Sequence, residues 1–211
     1  TGAQAIVQGL ASDGGLYVPE TFPKISVEEM EKMSEMNYPE RAAFVLGKYF
    51  GQELGEEYLK QSCEKAYAAF TGNDPAPLVK IDGKLFILEL YHGPTCAFKD
   101  VSMQLLPYLL KKSCEVAGVK EDILVVAATN GDTGKAALEG FKDVDGIKIC
   151  VFYPDGGVSQ VQRAQMVTQE GSNVAVCAVH GNFDDAQTGV KNIFAACRGK
   201  DLPFSLSSAN S

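Results

Sequence analysis

The chain has 211 residues, 45% of them hydrophobic, and a formal net charge of −8. That length and apolar content support one large or two small folded domains and argue against disorder. The acidic balance weighs against nucleic-acid or anionic-membrane partners, no apolar run reaches the length of a membrane span, and no secretory leader is apparent.

The cysteines, Cys63, Cys96, Cys114, Cys150, Cys177 and Cys197, form no CxxC pair and no metal-ligand spacing. They read as reduced, mostly buried thiols of a cytoplasmic protein, with no metal site.

Thr1 to Pro23 is rich in Gly and turn signals and reads as loop and short extended segments. Ser26 to Glu35 predicts an acidic helix, with Ser26 as N-cap and Glu29 completing a capping box. Pro39 to Phe50 predicts a second helix, with Pro in its first turn and Gly51 beyond its end. Glu56 to Phe70 predicts a third, whose Leu59, Cys63, Ala66, Tyr67 and Phe70 share one face. TGNDPAP at 71–77 breaks the pattern, and Leu78 to Tyr91 reads as two short strands around Asp82-Gly83.

The stretch His92-Gly93-Pro94-Thr95-Cys96-Ala97-Phe98-Lys99-Asp100 follows, and Val101, Leu105 and Leu109 after it predict one helix. Lys99 therefore falls at a helix start beside Phe98. Apolar neighbours and the positive end of a helix favour an amine available as a nucleophile. The plainer alternative is a lysine whose stem packs on Phe98 and whose head reaches water. A Cys96–His92 nucleophile pair has no further support in a chain with two histidines.

Beyond residue 112 the rhythm changes. Apolar runs start at 123, 147, 173 and 203, separated by helical patterns at 133–142, 159–170 and 184–197. This alternation predicts a parallel, helix-covered three-layer α/β sheet. Ala186, Val190, Ile193, Phe194 and Cys197 form a stripe that reads as core against that sheet. The organisation is thus a helical region over 1–77, a segment over 78–112 with the lysine stretch, and an α/β domain over 113–211.

Ligands of parallel α/β sheets bind at the carboxyl ends of the strands. The first such junction is Ala127-Ala128-Thr129-Asn130-Gly131-Asp132-Thr133-Gly134-Lys135. Its backbone amides and the hydroxyl and amide side chains suit a carboxylate or phosphate, and it is neither GxGxxG nor a Walker loop. A capped turn, with Asp132 or Thr133 as N-cap, is the structural alternative. Ser159 to Met166 reads as a solvated helix face, and Asp184 and Asp185 as helix-start carboxylates.

Taken together, GLASDGGLYVPE at 9–20, HGPTCAFKD at 92–100, AATNGDTGKAALEG at 127–140, PDGGVSQVQRAQM at 154–166 and GNFDDAQ at 181–187 resemble the threonine synthase family, in the family's order. The resemblance implies a partial fold of type II among pyridoxal-phosphate enzymes, with pyridoxal 5'-phosphate as cofactor. It implies that Lys99 is the lysine bonded to the cofactor, with Phe98 and Asn130 beside it. It places Thr129, Asn130, Gly131, Asp132 and Thr133 at the substrate carboxylate. The family usually has Ser where this chain has Asn130, which keeps a polar donor. The implied reaction converts O-phosphohomoserine and water to threonine and phosphate. A phospho-lyase of the same family and a non-catalytic anion-binding domain are the alternatives. The resemblance also implies an N-terminal fragment, inactive alone, that exposes apolar surface from Leu85 to Leu110 and so self-associates.

Overall fold

A computed structural model describes residues 1–9, 11, 13 and 15–209. Positions 10, 12 and 14 of the 9–20 stretch, and the last two positions of the chain, lie outside the described residues. The fold divides into two compact units: Thr1–Val101 with Tyr108–Gly118, and Ser102–Pro107 with Val119–Ser211.

The first unit opens with a helix, α1 (Gly2–Gln8), where the sequence predicts loop. Thr1 and Gln4 cap it reciprocally. Seven residues are too few to hold a helix alone, so the explanation is tertiary. Glu53 accepts hydrogen bonds from the amides of Gly2 at 2.8 Å and Ala3 at 3.0 Å, two donors a helix start leaves orphaned. Ala3 is fully buried with Leu54 and Leu59. These partners lie some fifty residues on, beyond any local pattern.

Helix α2 (Val27–Glu35) carries the expected Ser26–Glu29 capping box, and Glu29 also pairs with Lys48 at 2.7 Å. Helix α3 (Tyr38–Leu54) is capped by Asn37 with Glu40 and runs straight through Gly51 to end at Gly55, φ +86°. An interior glycine costs about 1 kcal/mol, less than burial of the Leu54 beyond it gains. Helix α4 (Glu56–Tyr67) buries the expected stripe of Leu59, Cys63, Ala66 and Tyr67. Burial pushes the Cys63 thiol up to about 11, and the Tyr67 phenol well above its ordinary value. Tyr67 donates to the Val101 carbonyl at 3.0 Å and meets Tyr38 edge-on at 5.0 Å.

Strands β1 (Leu78–Asp82) and β2 (Leu85–Leu88) pair antiparallel as expected, turning at Gly83. Leu78, Ile81, Leu85, Phe86, Ile87 and Leu88 are all exposed. The single helix expected beyond Lys99 is instead two, α5 (Asp100–Met103) and α6 (Leu106–Ala117). Pro107 has no N–H to give the Met103 carbonyl, so the ladder breaks there. Gly140 packs onto that carbonyl; a Cβ at 140 would lie 2.2 Å from its oxygen. The expected exposure of Leu105 and Leu110 is not seen, since both are buried.

In the second unit β3 (Asp122–Ala128), β4 (Ile147–Pro154), β5 (Val174–Val179) and β6 (Phe204–Ser208) form one sheet, ordered β5-β4-β3-β6 and parallel throughout, as the spacing predicts. Helices α7 (Asp132–Phe141), α8 (Gln160–Val167) and α9 (Phe183–Cys197) are the crossovers. Gly134 of α7 sits against Val151 on one face, while Ala186 and Val190 of α9 pack on Val126 and Ala128 on the other. This gives the expected three layers; of the α9 stripe, Ala186 and Val190 are core and Phe194 packs against them partly buried. Leu138, Phe141, Ile149 and Val151 are buried almost completely, each worth roughly 1.5–3 kcal/mol.

Asn173 fastens the start of β5 to the α7–β4 turn. Its amide donates to the carbonyls of Phe141 and Ile147, both at 2.8 Å, and its oxygen accepts from the Asp143 amide at 2.7 Å. The cysteines are free, but only Cys63 and Cys114 are buried, so the expectation of mostly buried thiols is corrected. Cys177 lies exposed on edge strand β5, 3.9 Å from Cys150, whose thiol is pushed up to about 12 by burial and by this neighbour. Among the described residues no helix is long and apolar enough to cross a membrane, and no cluster of metal-ligating side chains occurs.

The Ala3 amide, followed by that of Gly2, holds the Glu53 carboxyl below its ordinary 4.5. A depressed carboxyl stabilises the fold above its unfolded-state value and ceases to as pH falls through the folded-state value. Glu53→Gln is therefore expected to lower the urea midpoint at neutral pH and to converge on the parent below the carboxylate range. A midpoint difference independent of pH contradicts this.

Candidate active site

The lysine stretch, 92–100, is a loop laced by its own side chains. The Asp100 carboxylate is fully buried and accepts from the Thr95 amide and the Thr95 hydroxyl, both at 2.8 Å. Gly93 makes room for it, since a Cβ there would lie 2.4 Å from the Asp100 Cβ. Cys96 takes a left-handed conformation, φ +58°, and its amide closes a turn on the Gly93 carbonyl at 3.1 Å. The Thr71 amide holds the His92 carbonyl at 2.8 Å.

This lacing places Lys99 immediately before α5. Its side chain is half-buried, with Nζ 5.0 Å from the centroid of the Phe98 ring, itself 54% exposed. The Lys99 head group, and not only its stem, thus lies over the Phe98 ring. Helix α5 spans a single turn, so the helix field anticipated at Lys99 is small. His92 Nε2 lies 2.7 Å from the Glu89 carboxylate, and its ring stacks on Tyr91. The hydrogen bond from His92 holds the Glu89 carboxyl below its ordinary value. Cys96 makes no hydrogen bond to His92, so the geometry lends nothing to a Cys–His pair.

The β3–α7 loop, in the second unit, is built differently. Thr129 is buried, and its hydroxyl oxygen accepts from the amides of Gly131 at 3.0 Å and Gly134 at 2.9 Å. It shapes the turn from inside. Asn130 is exposed, and Asp132 and Thr133 are half-exposed. Gly131, φ +137°, is the N-cap of α7 and supplies no side-chain cap, so neither Asp132 nor Thr133 takes that role. The Asp132 and Thr133 amides lie in the first turn of α7, where N–H groups have no intrahelical partner and no side chain caps them. Two first-turn amides and the exposed Asn130 side chain thus offer donors suited to an anionic group.

Two residues of this loop's surroundings were not singled out from the sequence. Lys135, with a side chain 9% exposed, has its Nζ 3.6 Å from Asp132 Oδ1. Gln162 of α8 donates to the same oxygen at 3.0 Å. Local reading placed Gln162 on a solvated face; the Ser159-x-x-Gln162 capping spacing was the available signal. A groove of about 1240 Å³ between α2, α3 and α4, lined by Lys32, Phe44, Lys48, Gln52 and Lys60 among others, includes no residue of either loop.

Thr95→Val leaves the buried Asp100 carboxylate one donor short. It should cost about 1.5–3 kcal/mol in urea unfolding, as expected for a hydrogen bond to a charged group. A loss below about 0.5 kcal/mol, the range of neutral surface changes, would show that the lacing does not hold the loop.

Comparison with known proteins converges on one family. Residues 1–67 match the model of the threonine synthase N terminus. Threonine synthase of Pseudomonas aeruginosa is 42% identical over 190 residues, 90% of this chain and 40% of that protein. The fold superposes on the pyridoxal-phosphate-bound threonine synthase of Brucella melitensis with a TM-score of 0.88 at 40% identity, covering 99% of this chain and 44% of that one. For yeast threonine synthase the TM-score is 0.87 at 35% identity, covering 99% and 43%. The chain spans about two-fifths of the length of the curated relatives it matches. From motifs, fold and these matches alike, the chain belongs to the threonine synthase family, whose N-terminal part it matches.

Proposed function

We propose that the chain supplies the lysine and one ligand loop of a pyridoxal-phosphate-dependent threonine synthase, which converts O-phosphohomoserine and water to threonine and phosphate. The observation that carries this is the laced 92–100 loop, which holds a half-buried primary amine in place in a chain 40% identical to a pyridoxal-phosphate-bound relative.

The residues present fit that cofactor. Lys99 offers the primary amine that bonds a carbonyl, and Phe98 an aromatic face beside it. Asn130 and the first-turn amides of α7 offer donors to an anion. When bound, the cofactor supplies an electron sink for a carbanion at the substrate Cα. The Lys99 amine would then serve as the base and acid that moves protons among Cα, Cβ and Cγ of the substrate. Asn130, Gly131, Asp132 and Thr133 orient the substrate carboxylate, and Thr129 keeps their loop in shape. Phosphate departs before water adds at Cβ. Cytoplasmic residence accompanies this reading, in keeping with free cysteines.

The exposed apolar hairpin β1–β2 supports self-association of the chain. Sedimentation should show concentration-dependent oligomers that Ile87→Lys disperses; a monomer at all concentrations rejects this.

In a polypeptide of family length that contains this chain, Lys99→Ala is expected to lower threonine formation by about 10²–10⁴-fold or more, the scale of general acid–base catalysis. Lys99→Arg should do the same, because a guanidinium stays protonated. Threonine formation at the parent rate in either variant overturns the assignment.

A further inference from the structure

The geometry points to Gln162 as a positioning residue: from the cap of α8 it clamps the β3–α7 loop through Asp132 and Gly131. This rests on the reading of that loop as the ligand loop.

Gln162 does two things with one side-chain amide. Its Oε1 accepts from the Ser159 amide at 3.1 Å, while the Ser159 hydroxyl accepts from the Gln162 amide at 3.2 Å. That is a complete capping box, and Glu at this position would complete it equally well. What Glu lacks is a donor. Gln162 Nε2 uses that donor across the boundary between two βα units, reaching Asp132 Oδ1 at 3.0 Å. The choice of Gln over Glu is thus explained by Asp132 and not by the cap.

The same amide lies against Gly131. A Cβ at 131 would sit 2.3 Å from Gln162 Cδ, and φ +137° there is a conformation only glycine adopts readily. Gln162 therefore fixes both the backbone at the loop's tightest point and the rotamer of the next residue. Asp132 in turn offsets the nearly buried ammonium of Lys135 at 3.6 Å. With the Asp132 side chain held by this network, the first turn of α7 is set before any ligand arrives. The cap of one helix thereby determines the shape of the binding loop of another.

Gln162→Glu isolates the clamp, since it preserves shape, packing on Gly131 and the capping box but sets a carboxylate against Asp132. In this chain, hydrogen exchange of the Gly131 and Gly134 amides, followed by NMR, should accelerate about tenfold or more, as expected for loss of a charge-assisted hydrogen bond. Adding Asp132→Asn restores a donor–acceptor pair in the reverse sense and should return exchange to within about twofold of the parent. In a family-length polypeptide the single substitution should raise KM for O-phosphohomoserine about tenfold with a smaller effect on kcat. Unchanged exchange in the single variant, or no recovery in the double, overturns the clamp. Should the parent make no threonine, the proposed reaction fails, while the exchange measurement still decides the role of Gln162.

Discussion

Parallel pairing is the constraint from which the second unit follows. Strands that all run the same way must finish on the same edge, and each return needs a helix. The turns after β3, β4 and β5 are therefore neighbours, whatever their sequences. The contacts between them show it: the Thr129 amide bonds the Phe152 carbonyl at 2.9 Å, the Asp155 amide bonds the Val179 carbonyl at 2.8 Å, and Gln162 reaches Asp132. A loop of small and polar residues at such an edge gains its rigidity from the next loop along.

In both candidate site loops much of the motif builds the loop itself. Gly93, Thr95, Cys96 and Asp100 satisfy or accommodate one another, and together they hold the residue between Phe98 and Asp100. Thr129, Gly131 and Gly134 do the same for Asn130 and Thr133. Burying a carboxylate or a hydroxyl is tolerable only when its partners are in place, so these interior polar contacts make each loop single-valued.

Features with a short-range cause were legible in the sequence. The Ser26–Glu29 cap, the α4 stripe, the α9 core positions Ala186 and Val190 and the spacing of the apolar runs each depend on residues a few positions apart, and each is found. Features with a distant cause were not. Helix α1 depends on Glu53, the interruption before α6 on an absent amide at Pro107, and the role of Gln162 on an oxygen thirty residues earlier. Helix α3 passes Gly51 because burial further along outweighs a local preference. Lys99 became a candidate through the whole nine-residue motif around it, which no periodicity would have singled out.

The packing of Gly140 on the Met103 carbonyl reaches beyond stability. Pro107 leaves that oxygen without its helical partner, and the missing side chain at 140 is what lets α7 cover it. A lineage carrying this backbone cannot acquire even a methyl group at 140 while Pro107 stays. Were position 107 to regain an amide, the oxygen could return to its own helix and position 140 would open to larger residues. The two sites are thus coupled: what position 140 tolerates depends on what stands at 107.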